Sequence, residues 1–329
     1  MKRGIISVIG NTPTIELERY LPDADFQLYA KLEGFNPGGS AKDRPAFRIL
    51  REALERGEID PDTVILESSS GNMGIGLAQV CAYYGLRFVC IVDSRTTTQN
   101  IRILEAYGAR VDVVTDPGPD GFFHARLQRL RELQAQYPKS FWTDQHANAR
   151  NAEAHLTTTM EEIAAAAGGE LDYLFAATST CGTIRGCSEY IRARGMRTKV
   201  VAVDSIGSVI FGGAPGPRLV PGLGAGERPG LYRPEMADEV VLVSDLDCVV
   251  GCRRLVRREG ILAGGSAGAV MTAVERMRDR IPPASRCAVI LCDRGERYLE
   301  TIYDDAWVEE KFGPVSHLWT ETALMEEYV

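Results

Sequence analysis

The strongest constraint on this chain is a rhythm. Short runs that are apolar on both faces alternate with longer segments whose apolar residues recur every three or four positions. The runs FQLYAKL (26–32), TVILES (63–68), RFVCIVD (87–93), RVDVV (110–114), DYLFAAT (172–178), KVVAVD (199–204), EVVLVS (239–244) and CAVILCD (287–293) read as strands. Between them PAFRILREALERGE, IGLAQVCAYYG, TTQNIRILEAYG, HARLQRLRELQAQY and GAVMTAVERMRDRI carry helical periodicity. Strands apolar on both faces need cover on both, and the intervening helices supply it, so the expected class is α/β with a largely parallel sheet. The rhythm breaks twice. Residues 205–238, with GGAPGPRLVPGLGAGERPG, read as a long loop over a site. SFWTDQHANARN separates two blocks of alternation and puts a domain division near residue 145.

A length of 329 residues suits one large or two medium domains. The net charge of −8 leaves no cation surplus to neutralise phosphates, which argues against a nucleic-acid partner. Arg253, Arg254, Arg257 and Arg258 recur at helical spacing and read as a solvated face. The run from Ile261 to Val274 is too short to span a bilayer. The apolar start MKRGIISVIGNTP is broken too early, at Gly10, Asn11 and Pro13, for a signal peptide. A cytoplasmic protein with no membrane partner is expected. The eight cysteines form no CxxC pair, have no histidine at zinc spacing and lie mostly in apolar segments. They read as reduced core residues, and no metal is expected.

Four turns rich in Gly, Ser and Thr stand between strands and helices. In NPGGSAKDRP, Gly38 and Gly39 permit tight geometry, Ser40 or Asp43 can cap the helix, and Pro45 lies in its first turn. Lys42 is thereby placed at a helix start, where the dipole opposes a positive charge. Only six of the 37 basic residues are lysines, so a lysine in this turn invites explanation. In ESSSGNMGIGLA, Ser69, Ser70, Gly71 and Asn72 are either plain helix caps or a grip for a carboxylate or phosphate. In ATSTCGTIRGC, Ser179, Thr180, Cys181, Gly182 and Thr183 make a phosphate cradle at a helix N-terminus. No GxxxxGK[ST] occurs, and GLGAGE lacks the last glycine and the strand context of a dinucleotide fingerprint. A phosphate outside a nucleotide fits better. The fourth turn, ILAGGSAGAV with Ser266, is by itself only a turn.

Together these motifs resemble the pyridoxal-phosphate enzymes of the cysteine synthase and cystathionine β-synthase family, fold type II or tryptophan-synthase-β-like. NPGGSAKDR, SSGNMGIGLA, STCGT, GLGAG and GGSAG occur in the family's order and spacing, and the likeness runs from IGNTPTIEL near residue 9 to DRGERYLETIYDDAW ending at 307. The resemblance implies two open, mostly parallel twisted sheets flanked by helices. A smaller mobile domain, 36–145, would carry the lysine and the carboxylate turn. A larger one, 1–35 with 146–329, would carry the phosphate turn and the serine facing the pyridine nitrogen. A homodimer is implied as well. The cofactor would be pyridoxal 5'-phosphate, with Lys42 as its Schiff-base lysine and Asn72 at the pyridine hydroxyl. Ser179, Thr180, Cys181, Gly182 and Thr183 would hold the phosphate, and Ser266 the ring nitrogen. Ser69, Ser70, Gly71 and Met73, helped by Gln145, would grip the substrate carboxylate.

Two departures set the chain apart from cysteine synthase itself. Met73 stands where the family's carboxylate turn usually has Thr, and Ser179 and Cys181 stand where its phosphate turn usually has Gly. GGSAKDRPA, SVIFG and DRGERYL look like the branch that joins O-phospho-L-serine to L-glutamate through an aminoacrylate. That branch makes N-(2-amino-2-carboxyethyl)-L-glutamate, on the way to 2,3-diaminopropionate in siderophore or antibiotic biosynthesis. A dianionic phosphate leaving group needs further cations or donors, for which Arg126 and His146 are the candidates. His124, His155 and His317 are left as structural. The alternatives are cysteine synthase, a serine or threonine dehydratase, a catalytically silent binding protein of the same fold, and a nicotinamide oxidoreductase, which the missing GxGxxG disfavours.

Overall fold

The computed structural model describes residues 3–320. Along the chain run β1 (Thr14–Glu16), β2 (Gln27–Leu32), α1 (Asp43–Glu55), β3 (Val64–Ser68), α2 (Asn72–Tyr84), β4 (Arg87–Asp93), α3 (Thr98–Ala106), β5 (Arg110–Val114), α4 (Gly121–Gln136) and β6 (Ser140–Trp142). There follow α5 (Ala149–Ala154), α6 (Met160–Ala166), β7 (Tyr173–Ala177), α7 (Gly182–Ala193), β8 (Lys199–Ser205), β9 (Glu239–Val243), α8 (Asp245–Glu259), α9 (Gly265–Met277), β10 (Arg286–Leu291) and α10 (Asp305–Phe312). The strands form two sheets. One has the order β5-β4-β3-β6 and is wholly parallel; the other has the order β1-β2-β10-β7-β8-β9 and is parallel except where β1 meets β2.

Each strand read from the sequence is present. The central ones are buried between helix layers, β3 at all five positions and β4 at six of seven, whereas the edge strands β5 and β9 leave Val113, Val240 and Leu242 exposed. The three-residue strands β1 and β6 were not foreseen, being too short to show a period. β6 lies in the SFWTDQH stretch and is the last strand of the smaller sheet, so the chain passes to the larger sheet just after Trp142. Residues 206–238 are irregular apart from one turn at Pro234–Met236, as the Gly and Pro content suggests. Among the described residues no helix is long and apolar enough to cross a membrane.

The four arginines of α8 are not a uniformly solvated face. Arg253 donates to Ile302 O and pairs with Asp305, while Arg254 pairs with Glu275 and donates to Leu318 O. Arg258 donates to Tyr20 O, and Arg257 alone is exposed. These cations fasten the C-terminal segment and the 17–21 turn onto α8.

A buried ionic cluster fixes α1 against the larger sheet. Arg44 grips Glu33 at 2.6 and 2.7 Å and Glu162 at 2.7 and 2.8 Å, and Lys31 adds a second cation to Glu162 at 2.7 Å. Burial would raise the Glu162 carboxyl, but the Arg44 bonds and charge and the Lys31 bond bring it down to about 2. Removing one partner of such a cluster strands a buried charge.

Candidate active site

A cleft of about 320 Å³ lies among the carboxyl ends of β3, β6, β7 and β10, where open α/β sheets place their ligands. Every residue assigned from the sequence to cofactor or substrate binding lines it: Lys42, Ser69 to Met73, Arg126, Gln145, His146, Ser179 to Thr183 and Ser266.

Lys42 is the residue immediately before α1, as its turn predicted, but neither Ser40 nor Asp43 caps the helix from the preceding position. Asp43 sits in the first turn and is folded back: its Oδ2 accepts from Gly38 N. A Cβ on Gly38 would lie 2.7 Å from that carboxylate, which is why this position takes glycine. Burial pushes the Asp43 carboxyl up to about 7. Ser40 Oγ accepts from Lys42 N at 3.2 Å, and Ala41 N donates to Cys292 O at 2.8 Å, which ties the lysine turn to the end of β10.

The turn after β3 is held by polar and charged groups. Ser69 Oγ accepts from Gly74 N at 3.1 Å, and Ser70 Oγ accepts from Arg126 Nη1, itself 3.0 Å from Asp93 Oδ2. Gln145 Nε2 donates to Ser68 O at 3.2 Å. Glu67, fully buried, accepts from Ser68 N, Thr143 Oγ1 and Gln145 N, and burial pushes its carboxyl up to about 7. Met73 is 1% exposed and belongs to the core of the smaller sheet, so the family's threonine has become a packing residue here. His146 meets the Phe123 ring edge-on at 5.7 Å. Burial, with the Arg126 and Lys42 charges, pushes its imidazole down to about 4, so the ring is neutral near pH 7.

The turn after β7 is held by neutral groups. Thr183 Oγ1 meets His155 Nε2 at 3.2 Å, and His155 Nδ1 meets Thr159 Oγ1 at 2.9 Å. His155 opens the π-helical turn that joins α5 to α6, and Gly186 of α7 packs against that turn so closely that a Cβ would lie 2.1 Å from Ala152 O. Thr180 Oγ1 accepts from Asn151 Nδ2 at 3.4 Å, and Ser179 Oγ donates to Gly224 O at 3.2 Å. Cys181 adopts φ 68°, the left-handed region that favours glycine, and burial pushes its thiol up to about 12. Among the described residues, the backbone N–H groups from Thr180 to Ile184 have no protein acceptor. They form a fan of donors at the positive end of α7.

The sequence missed Asp293, Arg297 and Tyr298 after β10, Thr97 and Asn100 at the start of α3, and the supports Glu67 and Asn151. Two of these had a signal: Glu67 and Asp293 are acids at the carboxyl ends of otherwise apolar runs, Glu67 within β3 and Asp293 just after β10. Of the histidines left as structural, His155 lies behind Thr183, and His124 pairs with Glu227 at 2.8 Å in the open.

The family model described as pyridoxal-phosphate dependent enzyme matches residues 5–293. The N-(2-amino-2-carboxyethyl)-L-glutamate synthase of Ralstonia nicotianae is 44% identical over 93% of this chain and 91% of its own length. The synthase of the same name from Cupriavidus metallidurans is 42% identical over 92% and 90%. Among solved structures, a cysteine synthase of Entamoeba histolytica aligns with a TM-score of 0.87 at 32% identity, covering 92% of this chain and 91% of that one.

Proposed function

The chain belongs to the pyridoxal-phosphate dependent enzymes, and we propose that it joins O-phospho-L-serine to L-glutamate, giving N-(2-amino-2-carboxyethyl)-L-glutamate and phosphate. The carrying observation is 44% identity, over 93% of this chain, to a synthase of that product. Arg126 at Ser70 supports the phosphoserine donor, because a dianionic leaving group needs a guanidinium within reach. The Cβ–O bond to phosphate breaks, the glutamate nitrogen bonds to Cβ, and the proton released by that amine balances the departing phosphate.

The residues present fit the cofactor. The open N–H fan of Thr180 to Ile184 suits its phosphate. Four buried polar atoms without a partner, Ser68 Oγ, Asn100 Oδ1, Arg126 Nε and Asp293 Oδ1, belong to residues around the cleft. Such groups are costly unless a polar ligand settles beside them. Bound pyridoxal phosphate supplies an aldehyde for an amine and a conjugated ring that draws electrons from Cα.

The chain's own residues do the rest. Lys42, held beside the end of β10, removes and returns the Cα proton. Ser69, Ser70 and Gly71, with the Met73 backbone and Gln145, hold the substrate carboxylate. Ser266 meets the ring nitrogen with a neutral hydroxyl and leaves it without an added charge. Arg126 takes the leaving phosphate, and His146 and Ser179 line its path. We extend the reading to a mobile smaller domain at 36–145 over 1–35 and 146–329, a cytoplasmic homodimer, and a role in siderophore or antibiotic supply.

The test is a product assay by mass spectrometry with phosphoserine and acetylserine, each paired with glutamate, sulfide and water. The expected product is N-(2-amino-2-carboxyethyl)-L-glutamate from phosphoserine and glutamate. Cysteine from acetylserine and sulfide as the main product would overturn the reading.

A further inference from the structure

Asn72 opens α2 beside the smaller sheet, yet its amide is held by residues that follow β10 of the larger one. Arg297 Nη1 donates to its Oδ1, and its Nδ2 donates to Asp293 Oδ2 at 2.7 Å. Asp293 is buried, and the same Oδ2 accepts from the Tyr298 hydroxyl at 2.7 Å. Arg297 also reaches the lysine turn, where Nη2 donates to Gly38 O at 2.6 Å. One guanidinium thus spans the turn that carries Lys42 and the turn that carries Asn72.

An amide bracketed in this way has one stable orientation. Turning it over would set its NH2 against a guanidinium and its carbonyl against a carboxylate, losing two charge-assisted bonds. With Oδ1 held toward Arg297 and one Nδ2 proton given to Asp293, the second Nδ2 proton is left to donate.

We propose that Arg297 and Asp293 are positioning residues that fix Asn72 as a hydrogen-bond donor toward the ring oxygen of bound pyridoxal phosphate, and that Arg297 couples this orientation to the lysine turn through Gly38. The inference rests on the cofactor reading and on the placement of Asn72 at the ring. It goes beyond them in naming what makes the amide a donor.

The experiment titrates apo-enzyme with pyridoxal phosphate, by fluorescence or equilibrium dialysis, for wild type, Asn72→Ala, Arg297→Ala and the double variant. Arg297→Ala should weaken binding by about tenfold or more, the scale of one hydrogen bond to a charged group. The double variant should bind little more weakly than Asn72→Ala alone, because Arg297 acts through Asn72. The absorption spectrum supplies a readout that a merely structural role would not move. Without an oriented donor the ionised ring oxygen is less favoured, so the bound cofactor's long-wavelength band should lose intensity to the shorter one.

Arg297→Lys, a cation without the fork, should restore part of both effects. Should Arg297→Ala not fold, Arg297→Lys and Asp293→Asn carry the comparison with smaller losses in the same direction. Failure of the wild type to bind, or full affinity in Asn72→Ala, overturns the underlying assignments and the inference with them. Wild-type affinity in the Arg297 variants, or an equal loss in the Asn72→Ala background with an unchanged spectrum, overturns the positioning role alone.

Discussion

The turn after β3 and the turn after β7 share a local plan: a buried strand ends in Ser, Thr and Gly, and a helix begins. They are braced in opposite ways. Around Ser68 to Met73 the supports are ionisable side chains, with Arg126 on Asp93, Arg297 and Asp293 on Asn72, and the buried Glu67 beneath Gln145. Around Ser179 to Thr183 they are neutral, with Asn151, the Thr183–His155–Thr159 chain and the Gly224 carbonyl. Charged partners can meet an ionic group that arrives and leaves, as when phosphate departs from its ester. Neutral, fully buried partners give a fixed shape and leave backbone N–H groups to meet an anion that stays. On this view the second turn would hold the cofactor phosphate, and the first would meet the substrate and, through Asn72, the cofactor ring.

Removing the guanidinium should break the comparison most sharply. Arg126→Ala is expected to lower kcat/KM for phosphoserine by roughly 10- to 100-fold, the range for one hydrogen bond to a charged group. Affinity for pyridoxal phosphate should stay unchanged, because Asn72, Ser266 and the β7 turn are untouched. Steady-state kinetics with phosphoserine, beside a cofactor titration, checks both halves. Unchanged kinetics would remove Arg126 from the site, and a matching loss of cofactor affinity would erase the division between the turns.

The neutral bracing has its own signature in pH. His155 is fully buried, and burial, then the Lys42 and Arg44 charges, holds its imidazole well below the usual 6.5. The unfolded chain therefore binds a proton below about pH 6.5 that the folded chain refuses. The His155 contribution to stability should be level above that pH and fall below it, by about 1.4 kcal/mol per pH unit. His155→Gln, which keeps a polar side chain but does not titrate, should lose that slope. Chemical denaturation between pH 5 and pH 7 measures the difference. Equal slopes in the two proteins would mean that His155 is not held neutral.

Sequence reached the residues that face the cleft more readily than those that hold them. Lys42, Ser69 to Met73, Ser179 to Thr183 and Ser266 lie in turns that Gly, Ser and Thr mark locally, and strand-helix alternation assigns those turns to strand ends. Their supports come from far along the chain: His155 to Thr183 spans 28 positions and Asn72 to Asp293 spans 221. No local pattern encodes such pairs, because the topology makes them neighbours. Arg297 and Asp293 sat in a segment that served only as a mark of resemblance. The arginines of α8 were misread for the same reason, since their acceptors are carbonyls and carboxylates of distant segments.

Cys181 gives the finest test of the comparison. Its left-handed backbone costs about 1–2 kcal/mol for a residue with a side chain. Its buried thiol returns about 1 kcal/mol through burial against the core of the larger sheet. Cys181→Gly relieves the first and forfeits the second, and glycine adds about 0.5–1 kcal/mol of unfolded-chain entropy to the loss. The net change should stay within about 1 kcal/mol in a denaturation midpoint. Cofactor affinity should hold, because the N–H fan depends on backbone geometry that glycine adopts freely. A large loss of affinity would show that the side chain itself shapes the phosphate turn, and the contrast between a fixed cradle and an adjustable one would then have to be redrawn around a thiol.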